Sequence, residues 1–362
     1  MKRQLLTFAV IFAAALALFT FRLGQPNGPV FDEPCYVAGA KALMHGLPDA
    51  NPEHPPMGKL LIGVGIAAFG DTPFGWRIAS AVAGALTVAG AFLLVQTLTI
   101  SFEAGILAAI LLTFNNFTFV LARVAMLEIF ILMFLVWAIL AWLQKQFVVA
   151  GFLFGLAVAT KWSALVVLAV CLVVTFIYQR WYWSAFPKMI MTSALTYCVT
   201  FGGRNPIAAS RFILNFHKHA EGNPAINSLW FTWVTRVQPE RAMDYLTANP
   251  ALTICGVVAL VVMVLRFVQT QKFVDGVVVA IFAGSLLQWA IIGRHFSYYY
   301  YYALAFTFMT LAVPVALRHN PKVFGVRVSV LVAAAVFVGF LVFYPKMTNL
   351  EAPYDCALYC IS

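Results

Sequence analysis

Charged side chains are scarce in this sequence. Asp, Glu, Lys and Arg supply only 10% of the 362 residues, whereas 63% of the residues are hydrophobic and the mean hydropathy is +0.90. A soluble globular domain carries about 25% charged residues. The composition therefore excludes a soluble enzyme or binding module and indicates an integral membrane protein.

Zinc-type cysteine pairs and soluble domains are also lacking. The six cysteines include no C-x-x-C pair, which argues against zinc binding by thiolates. Cys356 and Cys360 allow two interpretations, a small disulfide loop in an oxidising compartment or two free thiols on a frayed tail. Without an internal repeat or an appended soluble domain, residues 1–362 are predicted to form one membrane domain.

Eleven apolar runs approach the length of about 17–25 residues that a membrane-spanning helix needs. The first is not followed by a small-x-small cleavage site, so it is interpreted as an uncleaved span. The run 147–159 is short, and a re-entrant hairpin with 162–179 is an alternative. The predicted spans of this all-α bundle are 5–23, 76–98, 104–121, 126–143, 147–159, 162–179, 189–203, 250–268, 273–291, 298–317 and 328–345.

The distribution of Lys and Arg predicts the orientation in the membrane. With a cytoplasmic N-terminus, the cytoplasmic loops carry ten basic and two acidic residues, a net charge of +8. The C-terminal tail, 346–362, and two longer segments, 24–75 and 204–249, then lie outside the inner membrane. Because outer basic side chains can pair with lipid phosphates, the net charge of +10 is no indication of nucleic-acid binding.

The outer segment 24–75 contains two adjacent carboxylates, Asp32 and Glu33, and a His-Pro-Pro-Met-Gly-Lys motif from His54 to Lys59. One interpretation is structural, with Asp32 as the N-cap of a helix that has Pro34 in its first turn. Residues 54–70 are too short to span the membrane, and they predict a helix in the outer interface that holds Lys59 at headgroup depth.

Five motifs together resemble the protein O-mannosyltransferases, particularly the bacterial ones. They are FDEPCYVAGAKAL, HPPMGKLLIGVG, FGDTPFGWR, ARVAMLEIF and GLAVATKWSAL, and the resemblance continues less strictly through NPAINSLWFTWVTRVQP and GRHFSYYYYYALAF. It implies a membrane glycosyltransferase of the GT-C superfamily that moves a sugar, most often mannose, from a polyprenyl phosphate to a protein Ser or Thr hydroxyl. Glu128 stands where the family more often has Asp. The alternative to a protein acceptor is a hydroxyl group on a lipid or a glycan.

The resemblance assigns roles to particular residues. Asp32 matches the general base of the family and implies an inverting reaction, Glu33 is expected to orient the acceptor or a neighbouring basic group, and His54 is a further catalytic candidate. The candidates for binding the donor phosphate or another part of the substrates are Arg123, Glu128, Lys161, Lys59, Arg294 and Arg236. A structural alternative pairs Arg123 with Glu128 to lock the turn between two spans.

No cofactor is firmly implied, although Asp32, His54 and Glu128 have side chains that suit a divalent metal ion. Tyr298 to Tyr302 are interpreted first as an interfacial aromatic belt, with stacking on a sugar or prenyl chain as the lesser alternative. His217 to His219 are interpreted as a solvated loop. The competing functional class is a transporter of lipid-linked sugars, against which stands the lack of a repeated half.

Overall fold

The computed structural model describes residues 2–178, 183–220, 227–236, 246–292, 297–323 and 325–348. Within these ranges lie fifteen α-helices, three 3₁₀ helices and one pair of short antiparallel strands. The α-helices are α1 (Lys2–Thr20), α2 (Glu33–Met44), α3 (Met57–Phe69), α4 (Pro73–Thr99), α5 (Phe102–Thr113), α6 (Asn116–Leu121), α7 (Leu127–Leu143), α8 (Phe147–Val158), α9 (Leu165–Tyr178), α10 (Ala185–Val199), α11 (Pro206–His219), α12 (Pro250–Thr270), α13 (Phe273–Ile291), α14 (Ala303–Ala316) and α15 (Val328–Thr348). The 3₁₀ helices cover Trp162–Ala164, Trp230–Thr235 and Tyr299–Tyr302, and the strands are β1 (Lys322–Val323) and β2 (Val326–Arg327).

Six helical segments in the described part of the chain are long and apolar enough to cross a membrane. They are α1, α4, α12, α13, the segment Tyr299–Ala316 and α15, and five shorter apolar segments accompany them. The predicted all-α integral membrane bundle is confirmed. The number of eleven spans stays a prediction, because the shorter segments include α3 and the predicted span 189–203 corresponds to α10, which is not among the eleven apolar segments.

The predicted span 104–121 is broken in the middle. The helix is interrupted at Asn115, whose side chain accepts a hydrogen bond from the backbone N–H of Thr118 and so caps the start of α6. The Asn115 side chain also donates to the hydroxyl of Thr310 in α14 at 2.9 Å. A buried amide therefore fixes the break against a neighbouring helix, a contact distant in sequence that hydropathy does not reveal.

Two glycines bring α8 and α10 into close contact. A Cβ atom on Gly151 would lie 1.9 Å from Thr192 Oγ1, and one on Gly155 would lie 2.6 Å from Thr196 Cβ. Ser193 Oγ donates to the Gly151 carbonyl at 2.8 Å. This spacing of small residues allows backbones to approach closely within a membrane. It places α10 so that the chain continues into α11 beside the candidate site.

Loops that the charge pattern assigns to the cytoplasmic face meet at one end of the bundle. Arg327 pairs with Glu103, and the guanidinium of Arg318 binds both carboxylate oxygens of Asp275 at 2.8 and 2.9 Å. Asn320 also donates to Glu103, at 3.1 Å. These contacts join the start of α5 to the β1–β2 hairpin and the start of α13 to the end of α14, as expected if these segments share one membrane face.

At the start of α2, the fully buried side chains of Glu33 and Arg77 form a bidentate ion pair. Arg77 Nε and Nη2 lie 2.8 Å from Glu33 Oε1 and Oε2, respectively. Arg77 also donates to the carbonyls of Leu23, Pro26 and Gly28 at 3.2, 3.0 and 2.8 Å. The guanidinium in α4 thus holds the loop that follows α1 and the first turn of α2.

Glu33 accepts two further hydrogen bonds from the backbone. The N–H of Val30 donates to Oε2, and the N–H of Ala125 donates to Oε1, both at 2.8 Å. Glu33 therefore connects α2, α4 and the turn between α6 and α7. Because Asp32 is the neighbouring residue, this network determines where the Asp32 carboxylate lies.

We expect Arg77→Ala to destabilise the protein by about 3–5 kcal/mol, because it leaves the Glu33 carboxylate buried without its cation. Thermal unfolding of the purified protein in detergent measures the effect. Lys41→Ala is the control, since it removes a pair with Asp71 whose side chains are 43% and 49% exposed. Exposed pairs contribute at most about 1 kcal/mol. Equal melting temperatures for the two variants would contradict the assigned role of Arg77.

Candidate active site

Asp32 lies half-buried at the N-cap position of α2, but its side chain makes no capping hydrogen bond there. Its Oδ2 instead accepts a hydrogen bond of 3.3 Å from the hydroxyl of Tyr300. The interpretation of Asp32 as a helix cap is therefore wrong. The carboxylate points toward the 3₁₀ helix Tyr299–Tyr302 rather than along its own helix.

The surroundings of Asp32 raise the pKa of its carboxyl from 3.8 to about 7. Withdrawal from water is the largest cause, and the negative charge of Glu128 adds to it. The positive charge of Lys161 and the hydrogen bond from Tyr300 act in the opposite direction and lower the pKa. A carboxylate that titrates near neutral pH is well suited to accept a proton from a hydroxyl group.

Lys161 has an extended backbone conformation and lies between α8 and the 3₁₀ helix Trp162–Ala164. Its Nζ lies 2.5 Å from Glu128 Oε1 in α7 and stands 4.6 Å and 5.1 Å from the ring centres of Tyr301 and Tyr300. The alternative in which Arg123 pairs with Glu128 is thus wrong, because Glu128 pairs with Lys161. The break at Thr-Lys-Trp places an ammonium group among aromatic rings beside Asp32.

The tyrosine run is part of the core, contrary to the predicted interfacial belt. Tyr299, Tyr300, Tyr301 and Tyr302 are all buried. Tyr301 stacks on Trp289 with ring centres 4.5 Å apart and an interplanar angle of 9°. The belt prediction failed because consecutive aromatic residues look alike in sequence, whether they face lipid or a buried site.

A cavity of about 630 Å³ opens beside Lys161. Its polar lining includes His54, Lys161, His217 and Gln288, and the ring of His54 lies 5.5 Å from that of His217. The rest is mainly apolar and comes from α9, α11 and α13, including Leu165, Val166, Ile213, Leu214, Leu287 and Ile291. Leu165, Leu214, Leu287 and Ile291 are also exposed on the surface of the bundle. The cavity thus joins a basic end to an apolar, outward-facing cleft.

Several residues expected in the site have other partners. The buried Arg123 donates to the carbonyls of Phe19 and Phe21 at 2.9 and 2.6 Å, where α1 ends with unsatisfied carbonyl groups. Lys59 was expected to bind the donor phosphate or another part of the substrates, but its side chain is fully buried, and its Nζ donates to Asp49 Oδ2 at 2.6 Å and to the His54 carbonyl at 2.8 Å. Both residues position loops instead of facing the cavity.

The remaining candidates are dispersed. Arg236 stands over the ring of Tyr299 at 5.3 Å, whereas Lys161 contacts the rings of Tyr300 and Tyr301. Glu33 pairs with Arg77, and this contact fixes the backbone next to Asp32. Arg294 and the predicted loop between Cys356 and Cys360 lie outside the described residues.

The described residues show no preformed set of ligands for the divalent metal ion that the sequence suggested. Among the residues that the structure describes, no group of three or more His, Cys, Asp or Glu side chains is arranged to hold a metal ion. Asp32, His54 and Glu128 are included in those residues. A role for a divalent ion stays a prediction.

Three contributors were missed by sequence reasoning. Tyr300 binds the candidate base, His217 lines the cavity from the last turn of α11, and Trp289 stacks on the tyrosine run. His217 had a usable signal, since α11 has hydrophobic residues at helical spacing and is therefore an amphipathic helix rather than a solvated loop. No signal in the sequence distinguishes Tyr300 from the neighbouring tyrosines.

Comparison with solved structures identifies the fold. The chain is similar to ArnT from Cupriavidus metallidurans bound to undecaprenyl phosphate, with a TM-score of 0.64 and 14% identity over 86% of this chain and 60% of that chain. It is also similar to the Archaeoglobus fulgidus oligosaccharyltransferase, with a TM-score of 0.57 and 15% identity over 96% of this chain and 56% of that chain. The fold is thus that of the GT-C membrane transferases, as the sequence resemblance implied.

Within this fold class, residues 53–202 match the family described as dolichyl-phosphate-mannose-protein mannosyltransferase. A polyprenol-phosphate-mannose–protein mannosyltransferase of Mycolicibacterium smegmatis is 32% identical over 43% of this chain and 38% of the relative. The protein of the same name from Mycobacterium tuberculosis is 34% identical over 39% of this chain and 34% of the relative. The resemblance to protein O-mannosyltransferases is confirmed for this segment. The matched regions span less than two fifths of the length of these relatives.

Proposed function

We propose that this protein is an inverting membrane glycosyltransferase that moves mannose from a polyprenyl phosphate to a Ser or Thr hydroxyl of a protein. The observation that carries the proposal is the position of Asp32, a carboxylate of raised pKa that lies close to Lys161 and the adjoining apolar cleft. Mannose and the protein acceptor are proposed because the similar curated proteins carry those words in their names.

The geometry suits the two tasks of this reaction. A hydroxyl nucleophile must lose its proton as it attacks the anomeric carbon, and Asp32 is the carboxylate available to accept that proton. The bond from the anomeric carbon to the phosphate oxygen breaks as the new glycosidic bond forms, and the phosphate leaves with the bonding electrons. Lys161, with His54 and His217 nearby, provides donors where negative charge develops on that phosphate.

The apolar cleft fits the chain of the lipid donor. A polyprenyl chain can pack against apolar side chains through van der Waals contacts, and the exposed leucines at the cleft offer such a surface without requiring the chain to leave the bilayer. A transporter of lipid-linked sugars would share this cleft but would not need a proton acceptor at its end. The base therefore favours the transferase over the transporter.

We expect Asp32→Asn to reduce sugar transfer by about 10²–10⁴-fold, since a general base commonly supplies a factor of that size. Membranes carrying the protein are incubated with decaprenyl phosphate [¹⁴C]mannose, and mass spectrometry identifies the protein, lipid or glycan that gains the sugar. Label on a lipid or glycan would replace the protein acceptor by the alternative class. Near-normal transfer by the purified Asp32→Asn variant would refute the role of Asp32.

The same variant separates catalysis from folding. Because the pKa of Asp32 is higher in the folded protein than its ordinary value, its charge costs stability above about pH 7 and this cost disappears as the carboxyl becomes protonated at lower pH. Asp32→Asn should therefore be at least as stable as the wild type at pH 8.

The transfer rate of the wild type should rise with pH through about 7, as the Asp32 carboxyl loses its proton. Tyr300→Phe should move that rise to higher pH, because the hydrogen bond from Tyr300 lowers the pKa of Asp32.

We expect Lys161→Gln to weaken the binding of decaprenyl phosphate by about 10-fold or more, because a hydrogen bond to a charged group contributes about 1.5–3 kcal/mol. Binding of the lipid to purified protein in nanodiscs measures the effect. Lys41→Gln is the control, since Lys41 is also paired with a carboxylate, that of Asp71, but does not line the cavity. Equal lipid affinity in wild type and Lys161→Gln would remove Lys161 from the phosphate site.

We propose further that the site faces the outside of the inner membrane and that the N-terminus is cytoplasmic. The basic loops gathered at the opposite end support this orientation, as does Cys35 in α2, which is disulfide-bonded, whereas Cys171, Cys198 and Cys255 are free thiols. Pro52→Cys and Lys322→Cys, each introduced into a background in which all six native cysteines are replaced by serine, test it. An impermeant maleimide should label only Pro52→Cys in intact spheroplasts, and the reverse pattern would invert the topology.

A further inference from the structure

A small chamber adjoins the large cavity at Lys161, Ser163 and Trp289, which line both. Its volume is about 20 Å³, enough for one water-sized group because such a group needs roughly 10–15 Å³. Glu128 lies on its wall and is 6% exposed. The chamber is too small for a sugar ring but large enough for one hydroxyl group.

Two buried polar atoms near this chamber have no hydrogen-bond partner among the described residues. One is Glu128 Oε2, since only Oε1 of that carboxylate is paired with Lys161. The other is Nε1 of Trp289. An unpaired buried polar group costs about 1–3 kcal/mol, so both atoms favour a ligand that satisfies them. One is an acceptor and the other a donor, and a hydroxyl group can serve both.

The orientation of both groups is fixed by their neighbours. Trp289 stacks on Tyr301, whose ring is also contacted by the ammonium of Lys161. Lys161 in turn holds Glu128 through Oε1. The unpaired donor and acceptor are therefore part of a rigid arrangement, which is what selective recognition of one group requires.

The chamber is also close to the proposed reaction centre. Tyr300, which binds Asp32, lies next to Tyr301 with ring centres 4.5 Å apart. The cavity beside Lys161 is the proposed place of the donor phosphate. A sugar attached to that phosphate, with its anomeric carbon near Asp32, would lie beside Lys161 and Trp289.

We propose that the chamber recognises one hydroxyl group of the transferred sugar, with Glu128 Oε2 accepting its hydrogen and Trp289 Nε1 donating to its oxygen. This inference rests on the proposed function and adds a determinant of sugar specificity. A site built to pair a hydroxyl discriminates strongly against an analogue that lacks it, because the buried partners are then left unsatisfied. Glu128 and Trp289 thereby acquire a role in choosing the sugar rather than in binding the phosphate.

The test compares the affinities of decaprenyl phosphate and decaprenyl phosphate mannose for the same purified protein. The ratio of the two affinities isolates the contribution of the sugar. Trp289→Phe keeps an aromatic ring but removes the N–H, so it should reduce this ratio by about 3- to 10-fold, and the ratio cancels any effect on the affinity for the lipid phosphate that both ligands share. Trp76→Phe is the control, because its indole N–H binds Asp71 outside the cavity.

Monodeoxy mannose donors then identify the hydroxyl group. One of them should bind the wild type more weakly than the parent donor does, and this difference in affinity should be smaller in Trp289→Phe, where only the hydrogen bond to Glu128 remains. Glu128→Gln, which retains the side-chain shape, provides a second variant if Trp289→Phe does not fold. An unchanged ratio in the variants, as expected if the chamber holds only a water molecule, would overturn the subsite alone. Failure of the wild type to bind either lipid would overturn the proposed function as well.

Discussion

The buried pair of Glu33 and Arg77 is the contact on which the geometry of the site depends. Two charges removed from water are tolerated only when their hydrogen-bonding capacity is satisfied, and here the carboxylate and the guanidinium are surrounded by backbone partners as well as by each other. The pair joins α2 to α4 and to the turn before α7. Because Asp32 directly precedes Glu33, the fixed position of Glu33 also determines the position of the Asp32 carboxylate.

Two opposing influences meet at Asp32. Burial and the charge of Glu128 favour its protonated form, whereas Lys161 and the Tyr300 hydroxyl favour the ionised form. The balance near neutral pH means that small changes in the surroundings, such as the arrival of a phosphate beside Lys161, alter the proton affinity of the carboxylate. An anion there would offset the ammonium charge and make Asp32 a stronger base when the donor is bound.

Hydropathy and short motifs predicted much of this molecule. The membrane bundle, the short helix after His-Pro-Pro and the boundary at Thr-Lys-Trp follow from run lengths, proline chemistry and an intramembrane lysine. The partners of the buried charges did not follow, because Glu128 pairs with Lys161 rather than Arg123 and Glu33 pairs with Arg77. Such partners are distant in sequence, and residue type alone does not distinguish an arginine that binds carbonyls from one that faces a phosphate.

The 3₁₀ helix Tyr299–Tyr302 has three residues per turn, so its successive side chains point in three directions. Tyr299 and Tyr302 contact Phe117, Tyr300 binds Asp32, and Tyr301 stacks on Trp289. Tyr298 precedes them, so a slip of the chain by one residue toward the C-terminus would again present a tyrosine in every direction. Because the residues are identical, such a shift in register would leave the side chains presented by the 3₁₀ helix Tyr299–Tyr302 chemically unchanged.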